Sequence, residues 1–298
     1  MNEQMSLFEA SYEKPKHLPK HIRLIELFAG IGAQAKALEI LGADFEHWRT
    51  CEWSWQSITA YNAIHMNGEI VDTSKLTYAD VLRKIEGVSN DYNKPMDFDQ
   101  LKRKGEKWAR ELLGRMIANM NFCPNVSKLR ASDLGISDRG GHTYIMTYSF
   151  PCQDLSNAGT MQGMEKGSGT RSGLLWEVER LLNECHESDC LPQVLVMENV
   201  PGVCGTSNLK PWNDWLDALE KLGYSNYWKI INGKDYMIPQ NRRRCFMVSI
   251  LGEYSFSFPH KLKPKYDLES YLEKGELDDW YYLPEDLLKS FQAIGETE

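Results

Sequence analysis

Short apolar runs alternate with polar, helix-forming segments over most of the chain. The runs over 22–28 and 45–51 predict buried strands, because they are rich in aliphatic and aromatic residues and are bounded by loop signals. The segments over 33–41 and 55–65 predict helices, the first ended by Gly42 as a C-terminal cap. This β-α-β-α opening is typical of a doubly wound α/β fold.

The same alternation resumes after a polar and charged interval at about 66–125, which is predicted to be an insertion with one helical stretch from about 100 to 120. The elements expected after it are a strand, a helix, a strand, a helix and two strands that return like a hairpin: 144–150, 174–185, 194–197, 212–222, 227–232 and 245–251. The predicted sheet is mixed, with helices on both of its faces.

Three parts of the chain are therefore expected. Residues 1–20 are predicted to be a flexible leader, and residues 21–255 to be the main domain with its insertion. Residues 256–298 are too short and too polar to build a core of their own, so they are predicted to be a connector.

The composition is ordinary for a globular protein, with 298 residues, 42% hydrophobic and 26% charged. No apolar run approaches the roughly 20 residues of a membrane span, and the polar N-terminus lacks the apolar core of a signal peptide. We therefore expect a cytoplasmic protein with no membrane partner.

The seven cysteines are odd in number and include no C-x-x-C pair. This pattern predicts reduced thiols rather than a disulfide framework or a zinc cluster. Cys185-His186 with Cys190 resembles a metal motif faintly, but such residues are common by chance near helix ends. No metal site is predicted.

The turn Phe28-Ala29-Gly30-Ile31-Gly32 joins the first predicted strand to the first helix. Its glycines let the backbone approach a ligand closely, and the helix N-terminus offers free N–H groups. It lacks the third glycine of the dinucleotide fingerprint. Glu52, at the end of the second strand, is placed for ribose hydroxyls, and Trp53 could stack on an adenine. Together they predict an adenosine-containing cofactor.

Cys152 follows a predicted strand in a turn led by Pro151, and Glu198 follows the apolar run 194–197. A free cysteine is often a core residue, but the polar neighbours here favour a partly exposed, reactive thiol. The glycine-rich segment 156–172 is predicted to be a mobile loop that closes over a substrate. Glu198 would have to be hydrogen-bonded or protonated in such a setting. A thiol and a carboxyl group at one sheet edge suit methylation of an unactivated pyrimidine carbon.

These motifs resemble those of the DNA (cytosine-5)-methyltransferase family. The family's motifs match, in order, the turn 28–32, Glu52-Trp53, Pro151-Cys152-Gln153, Glu198-Asn199-Val200 and Gln240-Asn241-Arg242-Arg243-Arg244. Asp133-Leu134, in a predicted loop, matches loosely the place of an acidic residue near the adenine. One motif alone would be weak, but the ordered set spans residues 22–251.

The resemblance implies a Rossmann-like catalytic domain over 21–255 that binds S-adenosylmethionine and methylates C5 of cytosine in DNA, as in restriction-modification. Cys152 would be the nucleophile that adds to C6, and Glu198 would protonate N3. Arg244 would bond the O2 side of the base, and Arg242 would support the nucleophile loop. The cofactor contacts would come from Phe28, Ala29, Gly30, Gly32, Glu52, Trp53, Asp133, Leu134 and Pro151.

The family normally continues into a target-recognition domain and a final Gly-Asn-Ser helix, and neither is found in 256–298. The net charge of −8 also disfavours binding to phosphates by this body alone. We therefore expect DNA as one partner and a second polypeptide, carrying the missing parts, as another. Two alternatives stay open: an RNA (tRNA) cytosine-5 methyltransferase, and an inactive or split-enzyme subunit.

Overall fold

A six-stranded sheet forms the centre of the structure, which is a computed structural model. It describes residues 21–91, 94–152, 164–167, 172–262, 268–275, 277–278, 281–285 and 287–288. The strands are β1 Ile22–Leu27, β2 Phe45–Cys51, β3 Thr143–Tyr148, β4 Val194–Asn199, β5 Tyr224–Asn232 and β6 Arg243–Leu251.

The strand order in the sheet is β2-β1-β3-β4-β6-β5. The first four strands in this order are parallel, and β6 runs antiparallel to both β4 and β5. The expected mixed, doubly wound sheet is confirmed, including the hairpin-like return at its end. In such a sheet the ligand-binding crevice lies outside the carboxyl ends of the parallel strands.

Both faces of the sheet are covered. Consecutive residues of its central strands point to opposite faces, and those on each face are buried. In β1, for example, Leu24 and Ile25 are both fully buried. The helices are α1 Ala33–Leu41, α2 Trp55–His65, α3 Tyr78–Lys84, α4 Phe98–Lys104, α5 Glu106–Ala118, α6 Ala131–Leu134, α7 Leu175–Glu187 and α8 Leu209–Lys221. No helix within the described residues combines the length and apolar character needed to cross a bilayer.

The prediction of one helix over about 100–120 is wrong, because this segment forms two helices, α4 and α5. Gly105 separates them with φ 88° and ψ 158°, a conformation that no α-helix contains. Asp97 and Gln100 form a capping box that begins α4 earlier than expected. Helix α3 was not anticipated at all, although Thr77 caps its first turn.

The insertion has a hydrophobic cluster of its own, separate from the cluster around the sheet. Most of its members come from α3, α4 and α5, three lie between α3 and α4 (Ile85, Val88 and Met96), and it includes Ile58 of α2. The interval therefore packs against the second helix of the α/β fold. The sheet's cluster includes residues of α7 and α8, among them the fully buried Trp212 and Trp215 of α8.

Contacts between residues divide the chain into two units. One comprises Met1–Asn232 and Arg243–His260, and the other comprises Gly233–Arg242 and Lys261–Glu298. Within the second unit, the Lys261 ammonium pairs with Asp235 at 2.7 Å, and Tyr271 donates to the Met237 carbonyl at 3.1 Å. The sequence-based boundaries at 20 and 255 stay predictions.

Candidate active site

The four parallel strands end level with one another. Leu27 of β1 is in register with Cys51 of β2 and with Tyr148 of β3. Tyr148 is in turn in register with Met197 of β4. Residues that follow these four positions therefore share one edge of the sheet, the edge where ligands bind in open α/β folds.

Most of the predicted site residues lie at this edge. Each of them lies at the end of one of the four parallel strands or within a few positions after it. Phe28 to Gly32 follow β1, Glu52 and Trp53 follow β2, Pro151 and Cys152 follow β3, and Glu198 is the penultimate residue of β4. A side-chain bond crosses the edge, from Gln34 Nε2 in α1 to Ser149 Oγ after β3, at 3.2 Å.

The turn after β1 is built from left-handed residues. Phe28, Gly30 and Gly32 have φ values of 56°, 56° and 81°, which non-glycine residues adopt at a cost. A Cβ at Gly32 would lie 2.3 Å from Nε2 of His65, so the packing of α2 requires a glycine there. A Cβ at Gly30 would meet nothing within 4 Å, so the backbone at this residue faces open space.

Glu52 ties this turn to the end of β2. Its Oε2 accepts from the Gly30 N–H at 2.8 Å, and its Oε1 accepts from the Ser54 N–H at 2.7 Å. The side chain is only 9% exposed. Burial raises the pKa of this carboxyl, and the bonds from Ser54 and Gly30 oppose that rise in part. A carboxylate oxygen can accept a further bond, so the ribose role stays compatible with this position.

Asn121 holds the same segment from the outside, and sequence reasoning missed it. Its Nδ2 donates to the Glu52 carbonyl at 2.7 Å, while its Oδ1 is buried without a hydrogen-bond partner. The backbone carbonyl of half-buried Trp53 accepts from the Ser89 N–H at 2.6 Å. The sequence carries no signal for Asn121, because its burial appears only in the folded chain.

Asp133 and Leu134 lie in the short helix α6, not in the expected loop. The Asp133 carboxylate accepts from the Arg130 N–H at 2.9 Å and so caps its own helix. Leu134 is buried in the core, and its carbonyl accepts from Trp48 Nε1 at 2.8 Å. Both line a small surface recess that Leu27 also lines. Their role toward an adenine stays a prediction.

Cys152 is half-buried at the end of the described segment after β3. The Pro151 carbonyl before it accepts from Ser172 Oγ at 2.8 Å. Residues 153–163 and 168–171 lie outside the described residues, and the predicted closing loop falls mostly among them. Neighbouring β4 supports this segment, because Asn199 Nδ2 donates to the Phe150 carbonyl at 3.1 Å.

Glu198 is part of β4, which runs on to Asn199 rather than ending at 197 as expected. Its Oε1 lies 2.9 Å from Nε of Arg244 on β6, in the adjacent antiparallel strand. The expected need for a hydrogen-bond partner is therefore met by an arginine of the predicted motif. Arg242 is exposed and belongs to the second unit, where its N–H donates to the Gln240 carbonyl at 3.0 Å.

A family profile, described as C-5 cytosine-specific DNA methylase, matches residues 119–297. The chain belongs to this family. It is 38% identical over 246 residues to the orphan methyltransferase M.SssI of Spiroplasma monobiae, covering 81% of this chain and 62% of that protein. It is 34% identical over 263 residues to the type II methyltransferase M2.ScrFI of Lactococcus lactis subsp. cremoris, covering 87% and 70%. The resemblance inferred from the motifs is confirmed.

Solved structures agree with the fold. The S. pombe Dnmt2 methyltransferase superposes with a TM-score of 0.55 at 17% identity, covering 92% of this chain and 66% of that chain. The Entamoeba histolytica methyltransferase EhMeth gives a TM-score of 0.53 at 15% identity, covering 90% and 64%. The chain thus spans about two thirds of these two chains, and the shared architecture is the Rossmann-like methyltransferase fold.

Proposed function

We propose that this chain transfers a methyl group from S-adenosylmethionine to C5 of cytosine in DNA, with Cys152 as the nucleophile. The observation that carries the proposal is the common edge formed by β1 to β4. It joins a half-buried thiol, the Glu198 carboxyl group and the turn held by Glu52. Membership of the C-5 cytosine-specific DNA methylase family supports the reaction type.

The chain's residues make a weakly nucleophilic ring carbon reactive. The Cys152 thiolate forms a bond to C6, and the displaced electron pair moves to C5. Glu198 donates a proton to N3, so that negative charge does not accumulate on the ring. S-adenosylmethionine supplies the methyl group that C5 accepts. A base then removes the C5 proton, the bond between Cys152 and C6 breaks, and the N3 proton returns to Glu198.

The two arginines of the motif assist at the base. Arg244, already paired with Glu198, is proposed to hydrogen-bond the O2 side of the cytosine. Arg242, the other arginine of the motif, is proposed to support the nucleophile loop. A stacked cytosine cannot be reached by this machinery, so the base has to leave the duplex first.

The residues of the turn fit S-adenosylmethionine. The backbone at Gly30 faces open space, Glu52 offers acceptor oxygens for ribose hydroxyls, and Phe28 and Trp53 offer half-buried aromatic rings. Asp133, Leu134 and Pro151 are proposed to contact the adenosine part.

Methyl transfer with a tritiated methyl donor tests the proposal. We expect incorporation into duplex DNA and none into tRNA, whereas incorporation into tRNA alone would favour the RNA alternative. Cys152→Ser should abolish transfer while S-adenosylhomocysteine still binds, and Cys190→Ser, another half-buried thiol, should remain active. DNA that contains 5-fluorocytosine should trap the parent covalently, but not the Cys152→Ser variant. An active Cys152→Ser variant would overturn the assignment.

The second polypeptide stays a prediction. It rests on the net charge of −8, which opposes the phosphate contacts that dominate nucleic-acid affinity. We expect weak DNA binding and slow methylation by the 298 residues alone. Methylation of a defined DNA site at a turnover normal for such enzymes, without any added protein, would contradict the prediction.

A further inference from the structure

A cluster of two histidines and a glutamate lies behind the turn, away from the residues assigned to the reaction. Glu39 belongs to the last turn of α1, His47 to β2, and His65 ends α2. One nitrogen or oxygen atom of each lies within 4.8 Å of the other two. The three residues are widely separated in the sequence, which explains why their spacing gave no metal signal.

The contacts of His65 fix which nitrogen carries a hydrogen. Its Nε2 lies 3.1 Å from the Ile31 carbonyl oxygen, which can only accept, so Nε2 carries the hydrogen. In the neutral ring, Nδ1 then carries a lone pair, and it faces Oε1 of Glu39 at 3.0 Å. Two electron pairs that face each other need a cation between them, either a proton or a metal ion.

The contacts of His47 also fix which of its nitrogens carries the hydrogen. Tyr61 donates its only hydroxyl hydrogen to Oε2 of Glu26 at 2.6 Å. The Tyr61 oxygen, 2.7 Å from Nδ1 of His47, therefore accepts a hydrogen from that nitrogen. This leaves the lone pair of His47 on Nε2. Glu26 is itself held, because its Oε1 accepts from the Ala35 N–H at 3.3 Å.

Both histidines thus have the outer contact that metal-bound histidines usually have. In metal sites the non-ligating N–H donates to a carbonyl, a carboxylate or a similar acceptor, which orients the ring. Here the acceptors are the Ile31 carbonyl and the Tyr61 hydroxyl, which Glu26 holds in place. Lys36 pairs with Oε2 of Glu39 at 2.6 Å, so Oε1 is the carboxylate oxygen left for a metal.

We propose that Glu39, His47 and His65 bind one divalent transition-metal ion, with zinc as the best match. Two imidazoles and a carboxylate are ligands that zinc accepts in a tetrahedral site, with water as the fourth ligand. Metal–ligand distances of about 2.0–2.2 Å place tetrahedral donors roughly 3.3–3.6 Å apart. His65 Nδ1 and Glu39 Oε1 are 3.0 Å apart, and one donor atom of His47 lies within 4.8 Å of both, so small movements of the three side chains would give the spacing of a tetrahedral site.

The position of the cluster gives the metal a structural consequence. The Ile31 carbonyl, in the turn after β1, accepts from His65, and the Ala35 N–H, in the first turn of α1, donates to Glu26, which holds Tyr61. A bound ion would join α1, β2 and α2 at this point. We expect it to stabilise the folded chain, because a ligand that binds only the native state raises its free energy of unfolding.

Zinc titration of the full chain, freed of metal with a chelator, tests the proposal. We expect one ion per chain and a rise in melting temperature that saturates with it. Glu39→Gln and His47→Gln should each weaken binding at least tenfold, and Tyr61→Phe, which removes an outer contact, should weaken it by about 10- to 100-fold. His142→Gln, whose ring is paired with Asp138 elsewhere, is the matched control and should bind zinc like the parent.

Cobalt identifies the ligands, because the chain also has seven cysteines that could bind zinc. We expect visible absorption bands of tetrahedral cobalt without a thiolate charge-transfer band. Such a thiolate band, or zinc affinity unchanged in Glu39→Gln, would overturn the proposal. If circular dichroism shows that His47→Gln does not fold, Glu39→Gln, an exposed position, decides alone.

Discussion

Arg244 Nε lies 2.9 Å from Glu198 Oε1, and the pair joins the two antiparallel strands β6 and β4 at the candidate site. Both side chains are largely covered, at 21% and 27% exposed. The carboxyl group that is proposed to protonate the base is thus oriented by the arginine that is proposed to contact it. Each group has its partner before any substrate arrives, which is the condition for a preorganised site.

Glu198→Gln should keep the fold and the affinity for S-adenosylhomocysteine but slow the single-turnover rate by about 10²- to 10⁴-fold, the usual contribution of a positioned proton donor. The amide keeps an oxygen for Arg244 but has no acidic proton for N3. Rapid-quench measurement of methyl transfer checks this. Glu253→Gln, at an exposed glutamate after β6, is the control and should leave the rate unchanged. A parent-like rate in Glu198→Gln would rule the role out.

Asn199→Ala should slow the reaction through the position of Cys152 rather than through cofactor binding. Asn199 Nδ2 donates to the Phe150 carbonyl, and its Oδ1 accepts from the Val200 N–H at 2.8 Å. Removing both bonds should cost about 1–3 kcal/mol of stability, because buried polar groups lose their partners.

The kinetic pattern of Asn199 variants separates positioning from general destabilisation. We expect kcat to fall while the S-adenosylhomocysteine dissociation constant stays unchanged. Asn199→Asp, which keeps the acceptor for Val200 but sets an oxygen against the Phe150 carbonyl, should slow the reaction at least as much as the alanine variant. An unaltered rate of covalent trapping by 5-fluorocytosine DNA in Asn199→Ala would contradict a positioning role.

Glu52→Gln should weaken S-adenosylhomocysteine binding by about 10- to 100-fold, since hydrogen bonds to a charged group contribute about 1.5–3 kcal/mol. The change also removes one of the two acceptors that hold the Gly30 and Ser54 N–H groups. Isothermal titration calorimetry measures the affinity. Glu69→Gln, at an exposed position, serves as the control. Equal affinities of the parent and Glu52→Gln would exclude Glu52 from the cofactor site.

Much of the fold could be predicted, because its first half has strong local signals. The helices Ala33–Leu41 and Trp55–His65 have the bounds that the pattern of apolar residues predicts. Gly42 ends the first as expected, with φ 64°. The insertion was harder, since Gly105 interrupts a run of helix-forming residues and local propensity alone does not show which conformation the glycine adopts.

The contacts within the site depend on strand pairing and could not be predicted. Glu198 and Arg244 are distant in the sequence and meet only because β6 runs antiparallel beside β4. The bond from Asn199 to Phe150 likewise needs β3 and β4 as neighbours. Asp133 has a structural role that the sequence did not reveal, because its carboxylate caps the helix that contains it.

Glu26 should make stability depend on pH. Burial raises the pKa of this carboxyl, and the bonds from Tyr61 and Ala35 oppose the rise. In the unfolded chain the usual pKa is 4.5. A raised pKa in the folded state means that the stabilising contribution is fully present below pH 4.5 and is lost as the pH rises through the folded value.

Comparison with Glu26→Gln isolates this contribution. The free energy of unfolding of the parent minus that of the variant should fall as the pH rises above 4.5, because the folded parent keeps its proton to a higher pH than the unfolded chain does. Urea denaturation at a series of pH values measures both. A difference that stays constant or increases over this range would show that the folded pKa is not raised.

Gly32→Ala and Gly30→Ala should differ in cost although both replace a left-handed glycine of the same turn. The left-handed conformation alone costs an alanine roughly 1–2 kcal/mol, and this applies to both. At Gly32 the new methyl group would also lie 2.3 Å from His65 and 2.7 Å from Tyr61. Overpacking of this kind adds about 1–3 kcal/mol, so Gly32→Ala should lose about 2–5 kcal/mol in urea denaturation and Gly30→Ala roughly 1–2 kcal/mol. Equal losses would mean that α2 can withdraw from the turn without cost, and that the contact of Gly32 with His65 does not fix the geometry of this site.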